Sequence, residues 1–244
     1  GMQYSNPGIV CSTILSAFLL RRLHAMGALR SLVSVAGDCI MRCRAMIYLD
    51  NAATTPVASE VLEEMLPFLR EAYGNPSSIH SLGQMSRHAL DVARDRVARL
   101  LNVRSREIVF TSGGTEADNL AIRGVLEGRR AEGRHFITSA IEHEAVLDTA
   151  HAMEAEGWDL TVLPVDDCGL VSPEAVRGAM RNDTVLVSVM LANNEVGTIQ
   201  PIPELAAIAH EGGALFHTDA VQGACRIPID VPAAGVDLLS MSSH

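Results

Sequence analysis

The sequence predicts an α/β fold with a mainly parallel (mixed) sheet and helices on both of its faces. From position 47 onward, short apolar runs alternate with amphipathic segments of helical spacing, which is typical of parallel strands joined by helices. Polar residues and glycines follow directly after several of these runs. Ligands bind at the carboxyl ends of parallel strands, so the second observation also predicts where a site lies.

The first elements of this domain are a short strand and two helices. An apolar run at 47–49 predicts the strand. Thr55 followed by Pro56 is typical of a helix N-cap and first turn, so we expect a helix to begin there and to bend at Pro67. Apolar residues at helical spacing predict a second helix over 81–101.

The remaining elements alternate regularly between strand and helix. Each predicted strand is a run of mostly apolar residues, and each helix repeats its apolar residues three and four positions apart. The predicted strands are 107–111, 136–139, 158–163, 185–190, 215–218 and 236–241. The predicted helices are 115–126, 144–155, 173–180 and 203–210.

Charge and composition argue against several classes of partner and site. The 244 residues have a formal net charge of −10, which repels nucleic acid, and only 4% of them are aromatic, too few for a base-stacking surface. All 19 basic residues are arginine. The five cysteines have irregular spacing, which favours reduced thiols in the cytoplasm and gives no zinc-ligand pattern. We therefore expect no nucleic-acid partner and no metal.

Residues 1–46 differ from the rest of the chain. They contain five arginines and one acid, a charge of +4 against −14 for the remainder. Their apolar run at 9–20 is too short to span a bilayer, so we expect no membrane association. A mis-set translation start is one interpretation, and a mitochondrial targeting segment is another. In both cases we expect 1–46 to lie outside the fold and 47–244 to form the domain.

The segment after the strand at 107–111 predicts an anion site. Gly113 and Gly114 lead directly into a helix that begins near Thr115. Backbone N–H groups and the helix dipole at such a start bind phosphate. The segment matches neither of the usual glycine-rich phosphate motifs, and a plain tight turn is the alternative.

Polar side chains follow three later strands. His143 stands at a helix start, where a capping role is the alternative to a functional one. Asn194 lies in a polar cluster at a strand end, where either a ligand or an Asx-turn satisfies its amide. Asp219 ends another apolar strand, and a buried carboxylate there requires a cation or several donors.

Together these segments resemble the cysteine desulfurases of the NifS/IscS branch of the class V aminotransferases, which carry pyridoxal 5′-phosphate on the type I transferase fold. The resemblance covers 47–244 in the expected order and spacing. It implies that 47–244 is the cofactor-binding large domain, incomplete at its carboxyl end. The matching segments are 48–55, 74–78, 110–119, 142–143, 193–197, 217–222 and 242–244.

The resemblance implies which residues bind the phosphate of the cofactor. In the family, the residues that match Gly114 and Thr115 bind it from the start of a helix. Those that match Ser242 and His244 supply further phosphate contacts.

The resemblance also implies which residues act around the cofactor ring. The residue that matches Asp219 pairs with the pyridine nitrogen, which makes the cofactor an electron sink. The residue that matches His143 stacks on the ring and transfers protons, so it is the candidate catalytic residue. Those that match Asn194 and Gln222 hydrogen-bond the ring oxygen and the substrate region.

The implied activity is removal of sulfur from L-cysteine, giving L-alanine and an enzyme persulfide for iron–sulfur cluster or thio-cofactor assembly. The implied protein is a cytoplasmic homodimer that passes sulfur to an acceptor or an iron–sulfur scaffold protein, or a mitochondrial one if the leader is a targeting segment. A selenocysteine lyase or another class V aminotransferase is an alternative. A short lysine-free protein without catalytic activity is another.

One departure from the family pattern concerns the lysine that binds the cofactor covalently. In the family it follows the residue that matches His244, whereas this chain ends at His244 and contains no lysine. The small domain with its persulfide cysteine is also missing from these residues. We therefore expect the 244 residues alone to be inactive.

Overall fold

A computed structural model describes residues 8–12, 47–224 and 226–243 of the protein. Within these ranges the strands and helices alternate along the chain as the sequence predicts. The strands are β1 Gly8–Ser12, β2 Ile108–Thr111, β3 His135–Ser139, β4 Asp159–Leu163, β5 Thr184–Ser188, β6 Leu215–Asp219 and β7 Leu238–Met241. The helices are α1 Ser59–Arg70, α2 Ser81–Leu100, α3 Gly114–Gly128, α4 Glu144–Ala155, α5 Pro173–Ala179, α6 Ile202–Glu211 and α7 Val231–Ala234.

The strands form one seven-stranded sheet in the order β2-β1-β7-β6-β5-β3-β4. Every pairing between the described strands is parallel. The sheet is therefore parallel throughout the described residues, and the antiparallel member of a mixed sheet is not among these strands. Because all strands run the same way, their carboxyl ends meet at one edge.

Helices cover both faces of this sheet, as predicted. Phe136 and Leu186 lie in a cluster with α3 and α4 on one face. Their chain neighbours Ile137 and Val187 lie in a second cluster with α5 and α6 on the other face. Strands β3 and β5 are buried at every position, because a parallel strand packs helices on both of its sides. This explains the continuous apolar runs in the sequence.

The start of the domain differs from the prediction in two places. Residues 47–50 form no strand, and Ile47 is 80% exposed, so the run has no partner to pair with. Helix α1 begins at Ser59 rather than at Thr55, and its N-cap Ala58 offers no side-chain hydrogen bond. None of the residues of α1 is buried, so its start is not fixed by packing among the described residues.

The leader also departs from the expectation that residues 1–46 lie outside the fold. Gly8–Ser12 form β1, and its backbone pairs with β2 on one side and β7 on the other. The segment contains Ile9 and Val10, which favour extended structure, and it occupies a place where two strands would otherwise leave unpaired edges. The structure thus includes these five residues in the sheet, and the division of the chain at position 46 stays a prediction. The rest of the leader lies outside the described residues.

None of the helices in the described ranges is long and apolar enough to cross a membrane.

Candidate functional site

A cavity of about 450 Å³ opens at the carboxyl edge of the sheet. Its walls come from the start of α3, the start of α4, and the segments that follow β5, β6 and β7. Seven of the eight residues predicted from the sequence line it, namely Gly114, Thr115, His143, Asn194, Asp219, Gln222 and Ser242. The eighth, His244, lies outside the described residues. The sheet thus brings together residues that are up to 128 positions apart.

The start of α3 provides the anion-binding end of the cavity. Gly113 is the N-cap and makes no side-chain capping hydrogen bond, and the first N–H groups of a helix have no partner within the helix. A Cβ atom on Gly114 would lie 2.8 Å from Cγ2 of Val221. The glycine therefore allows the helix start to approach the segment after β6, and both elements face the same cavity.

Asp219 places a buried carboxyl group in the wall of the same cavity. It ends β6 with 5% of its surface exposed, and its Oδ1 accepts the Val221 N–H at 2.8 Å. Burial raises the pKa of this carboxyl. Among the described ion pairs none includes Asp219. The Val221 N–H and the nearby His143 lower the pKa of Asp219, but burial outweighs both.

His143 caps a helix and also faces the cavity. It is the N-cap of α4, and its Nδ1 accepts the Ala145 N–H at 3.1 Å, which confirms the capping interpretation. Its side chain also lines the cavity. Since Nδ1 acts as an acceptor, the neutral ring carries its proton on Nε2. The cap therefore fixes both the orientation and the tautomer of the ring.

The two neighbouring asparagines have separate roles. Asn193 forms the turn, because its Oδ1 accepts the N–H groups of Glu195 and Val196, each at 2.9 Å, and its Nδ2 donates to the Ile141 carbonyl at 3.0 Å. The Asx-turn alternative therefore belongs to Asn193. Asn194 lines the cavity, where its amide is available to a ligand.

Gln222 ties the cavity wall to the segment before α1. Its Nε2 donates to the Ala52 carbonyl at 3.2 Å, and its Oε1 accepts from Arg226 at 3.2 Å. Ala52 and Ala53 themselves line the cavity. Gln222 therefore positions that segment as well as facing the cavity.

Sequence reasoning missed two buried carboxyl groups near the cavity. Asp118 is 1% exposed and its Oδ1 has no hydrogen-bond partner. Glu142 is 6% exposed, and its Oε1 accepts the Met190 N–H at 2.9 Å and the Ser139 hydroxyl, while its Oε2 has no partner. Burial, with a smaller contribution from neighbouring carboxyls, raises the pKa of both groups to about 8.

A comparison with family models identifies the family of the chain. The model of the family described as aminotransferase class V matches residues 47–244. The chain belongs to this family.

The class V aminotransferase relatives it matches include several desulfurases. It is 54% identical over 198 residues to the cysteine desulfurase IscS of Methanosarcina thermophila, covering 81% of this chain and 49% of that protein. It is 53% identical over 198 residues to the putative cysteine desulfurase IscS 1 of Bacillus subtilis, and the match covers 81% of this chain and 52% of that protein. The chain thus spans about half the length of the curated relatives it matches.

Solved structures give the same picture. SspA in complex with cysteine is 42% identical with a TM-score of 0.79, and the match covers 82% of this chain and 57% of that one. A NifS-like protein is also 42% identical with a TM-score of 0.79, and the match covers 81% of this chain and 55% of that one. These matches confirm the predicted fold class.

The residues of the cavity fit pyridoxal 5′-phosphate, the cofactor of this family. The glycine-lined start of α3 suits its phosphate, and the buried carboxyl of Asp219 suits a protonated pyridine nitrogen. Asp118 and Glu142 add buried oxygens that lack donors. A cationic ring is the chemistry that this concentration of carboxyls favours.

Proposed function

We propose that the full-length protein is a pyridoxal-phosphate-dependent cysteine desulfurase. The observation that carries the proposal is a cavity whose walls contain both a helix start without a side-chain cap and the buried carboxyl of Asp219, which belongs to none of the described ion pairs. Identities of 50% or more to proteins named as cysteine desulfurases support the activity, and the cysteine complex of SspA supports the substrate.

The backbone N–H groups of Gly114 and Thr115 hold the phosphate, and the α3 dipole adds to this attraction. The hydroxyl of Ser242 is proposed as a further contact. His244, which lies outside the described residues, is proposed as another on the resemblance alone. Since a Cβ atom on Gly114 would lie 2.8 Å from Cγ2 of Val221, a side chain at this position requires the neighbouring wall to shift.

Asp219 keeps a proton on the ring nitrogen, and pyridoxal phosphate when bound withdraws electrons from the bonds at the substrate Cα. His143 moves a proton with its Nε2, because Nδ1 is engaged in the helix cap. Asn194 and Gln222 orient the ring and substrate by hydrogen bonds. The products proposed are L-alanine and a persulfide on a cysteine beyond these residues.

The wider setting is part of the same proposal. The protein acts as a homodimer, and the apolar side chains exposed on α1, such as Leu62 and Phe68, support burial of that helix by other protein surface. It hands sulfur to an acceptor or to an iron–sulfur scaffold protein in the cytoplasm. The irregularly spaced cysteines support a reducing compartment.

The proposal is tested on full-length protein loaded with pyridoxal phosphate. With L-cysteine and a reducing thiol we expect equal amounts of alanine and sulfide, and we expect Asp219→Ala to reduce turnover by at least a hundredfold. L-selenocysteine serves as the competing substrate. Failure to form alanine from L-cysteine, or a kcat/KM for selenocysteine a hundredfold above that for cysteine, contradicts the proposal.

A further inference from the structure

A second carboxyl group lies in the wall of the cavity that Asp219 occupies. Asp118, on α3, lines this cavity one helical turn after Gly114. It is 1% exposed, and its Oδ1 has no hydrogen-bond partner. A buried carboxyl oxygen without a donor is unfavourable, so its position at a ligand cavity requires an explanation.

Buried polar groups hold Asp118 in place without neutralising it. His217 lies between two hydroxyls, with Nδ1 at 2.8 Å from Ser188 Oγ and Nε2 at 3.0 Å from Ser240 Oγ. Ser240 lies close enough to the Asp118 carboxyl to lower its pKa, against the larger effect of burial. Burial lowers the pKa of His217 to about 3. The 3.7 Å contact between His217 Nε2 and Asp118 Oδ1 is therefore not an ion pair, because the imidazole is neutral.

The charged groups that face Asp118 are themselves acidic. Asp219 on β6 and Glu142 before α4 both raise the pKa of Asp118 in addition to its burial. In the described part of the chain no arginine pairs with any of these three carboxyls. Neighbouring buried carboxylates without a cation cannot all ionise. Burial and the neighbouring carboxyls therefore favour a proton on Asp118 when no cation is bound, since they raise its pKa to about 8.

We propose that Asp118 is a positioning residue of the cofactor site, which acts through Asp219 by adding a second buried negative charge beside the carboxylate that holds the ring nitrogen. This rests on the proposed function, since the ring is that of pyridoxal phosphate. A cationic ring supplies the charge that the two carboxyls lack, so Asp118 releases its proton to solvent. Two carboxylates retain the ring proton to higher pH than one does.

The test follows the ring proton directly rather than turnover. Full-length protein is loaded with pyridoxal phosphate carrying ¹⁵N in the ring, and the ¹⁵N chemical shift is recorded from pH 6 to pH 10. We expect the ring nitrogen of Asp118→Asn to lose its proton at least one pH unit below the wild type, a tenfold lower proton affinity. Glu127→Gln removes an exposed carboxylate from the same helix, and we expect it to titrate like the wild type.

Each outcome decides between the two proposals. If Asp118→Asn titrates at the same pH as the wild type, Asp118 is only structural and this inference is wrong. If wild-type protein does not bind pyridoxal phosphate, the proposed function itself fails. Asp118→Ser keeps a hydroxyl at the position and gives the same readout if the asparagine variant does not fold. Asp118→Ser removes the buried carboxyl oxygen that lacks a donor, which favours folding of that variant.

Discussion

Glu142 makes the stability of the cofactor-free protein fall as the pH rises. Its pKa is about 8 in the folded protein, against 4.5 for the ordinary carboxyl. Between these values the folded chain binds one more proton than the unfolded chain, so the free energy of unfolding decreases by about 1.4 kcal/mol per pH unit. From pH 5 to pH 8 the accumulated loss from this group is roughly 4 kcal/mol.

The variant Glu142→Gln removes this dependence and keeps an oxygen that accepts from Met190 and Ser139. We expect its free energy of unfolding to fall less steeply than that of the wild type between pH 5 and pH 8, with the two curves converging towards pH 4. Urea unfolding at half-unit pH intervals, without cofactor, measures the difference. Glu144→Gln removes an exposed carboxylate two positions away, and should leave the slope unchanged.

Parallel curves for Glu142→Gln and the wild type, within about 0.5 kcal/mol over this range, would refute the reasoning. They would mean that Glu142 ionises normally in the folded state. The buried Oε2 of Glu142 would then be stabilised as a charged group despite having no hydrogen-bond partner in the structure.

Three further predictions concern the cavity wall. Gly114→Ala should weaken inorganic phosphate and cofactor binding at least tenfold in a fluorescence titration, whereas Gly124→Ala, which has open space around it, should raise the free energy of unfolding by about 0.5–1 kcal/mol. His143→Ala should lose about 1 kcal/mol of stability with the helix cap and, independently, most of the turnover. Asn193→Ala should lower the melting temperature by several degrees, because it removes hydrogen bonds to three backbone groups, while Asn194→Ala should leave it unchanged and reduce cofactor affinity. The reverse result for the two asparagines would contradict their assignment.

The alternation of strands and helices was predictable because each element has one dominant physical cause. Strands β3 and β5 are buried at every position, so their apolar runs have only one interpretation once helices flank them. Ser172 and Pro173 start α5 as N-cap and first residue, as the sequence predicts. These signals are local, and packing strengthens them.

The errors arose where tertiary contacts decide. The run at 47–49 has the composition of a strand but pairs with none of the strands in the described part of the chain. Thr55 and Pro56 have the local chemistry of a helix start, yet α1 begins at Ser59. The pairing of Gly8–Ser12 joins segments about 100 and 230 positions apart, and nothing in the spacing of the leader indicates such a distant partner.

The site residues that closely follow an apolar run were predictable from the sequence. Asp118 and Glu142 were given no role there. Asp219 and Asn194 come directly after apolar runs, so their burial is visible in the sequence. Asp118 lies inside an amphipathic helix, where acidic residues are usually exposed. A signal was available, because Asp118 stands four positions after Gly114 and therefore on the same helix face. Glu142 directly precedes His143 and could have been found in the same way.

The walls of the cavity come from six separate places along the chain, and the cofactor therefore stabilises the folded state when it binds. Residues from Gly114 to Ser242 meet there only when β2, β3, β5, β6 and β7 are aligned at their carboxyl ends. An unfolded chain has no such arrangement, so all of the binding free energy favours the native state. At a cofactor concentration a hundred times its dissociation constant, this adds about 2.7 kcal/mol to the stability. When pyridoxal phosphate is scarce, a larger fraction of the protein is unfolded. We therefore expect proteolysis to lower the amount of the protein, in addition to the loss of catalytic turnover.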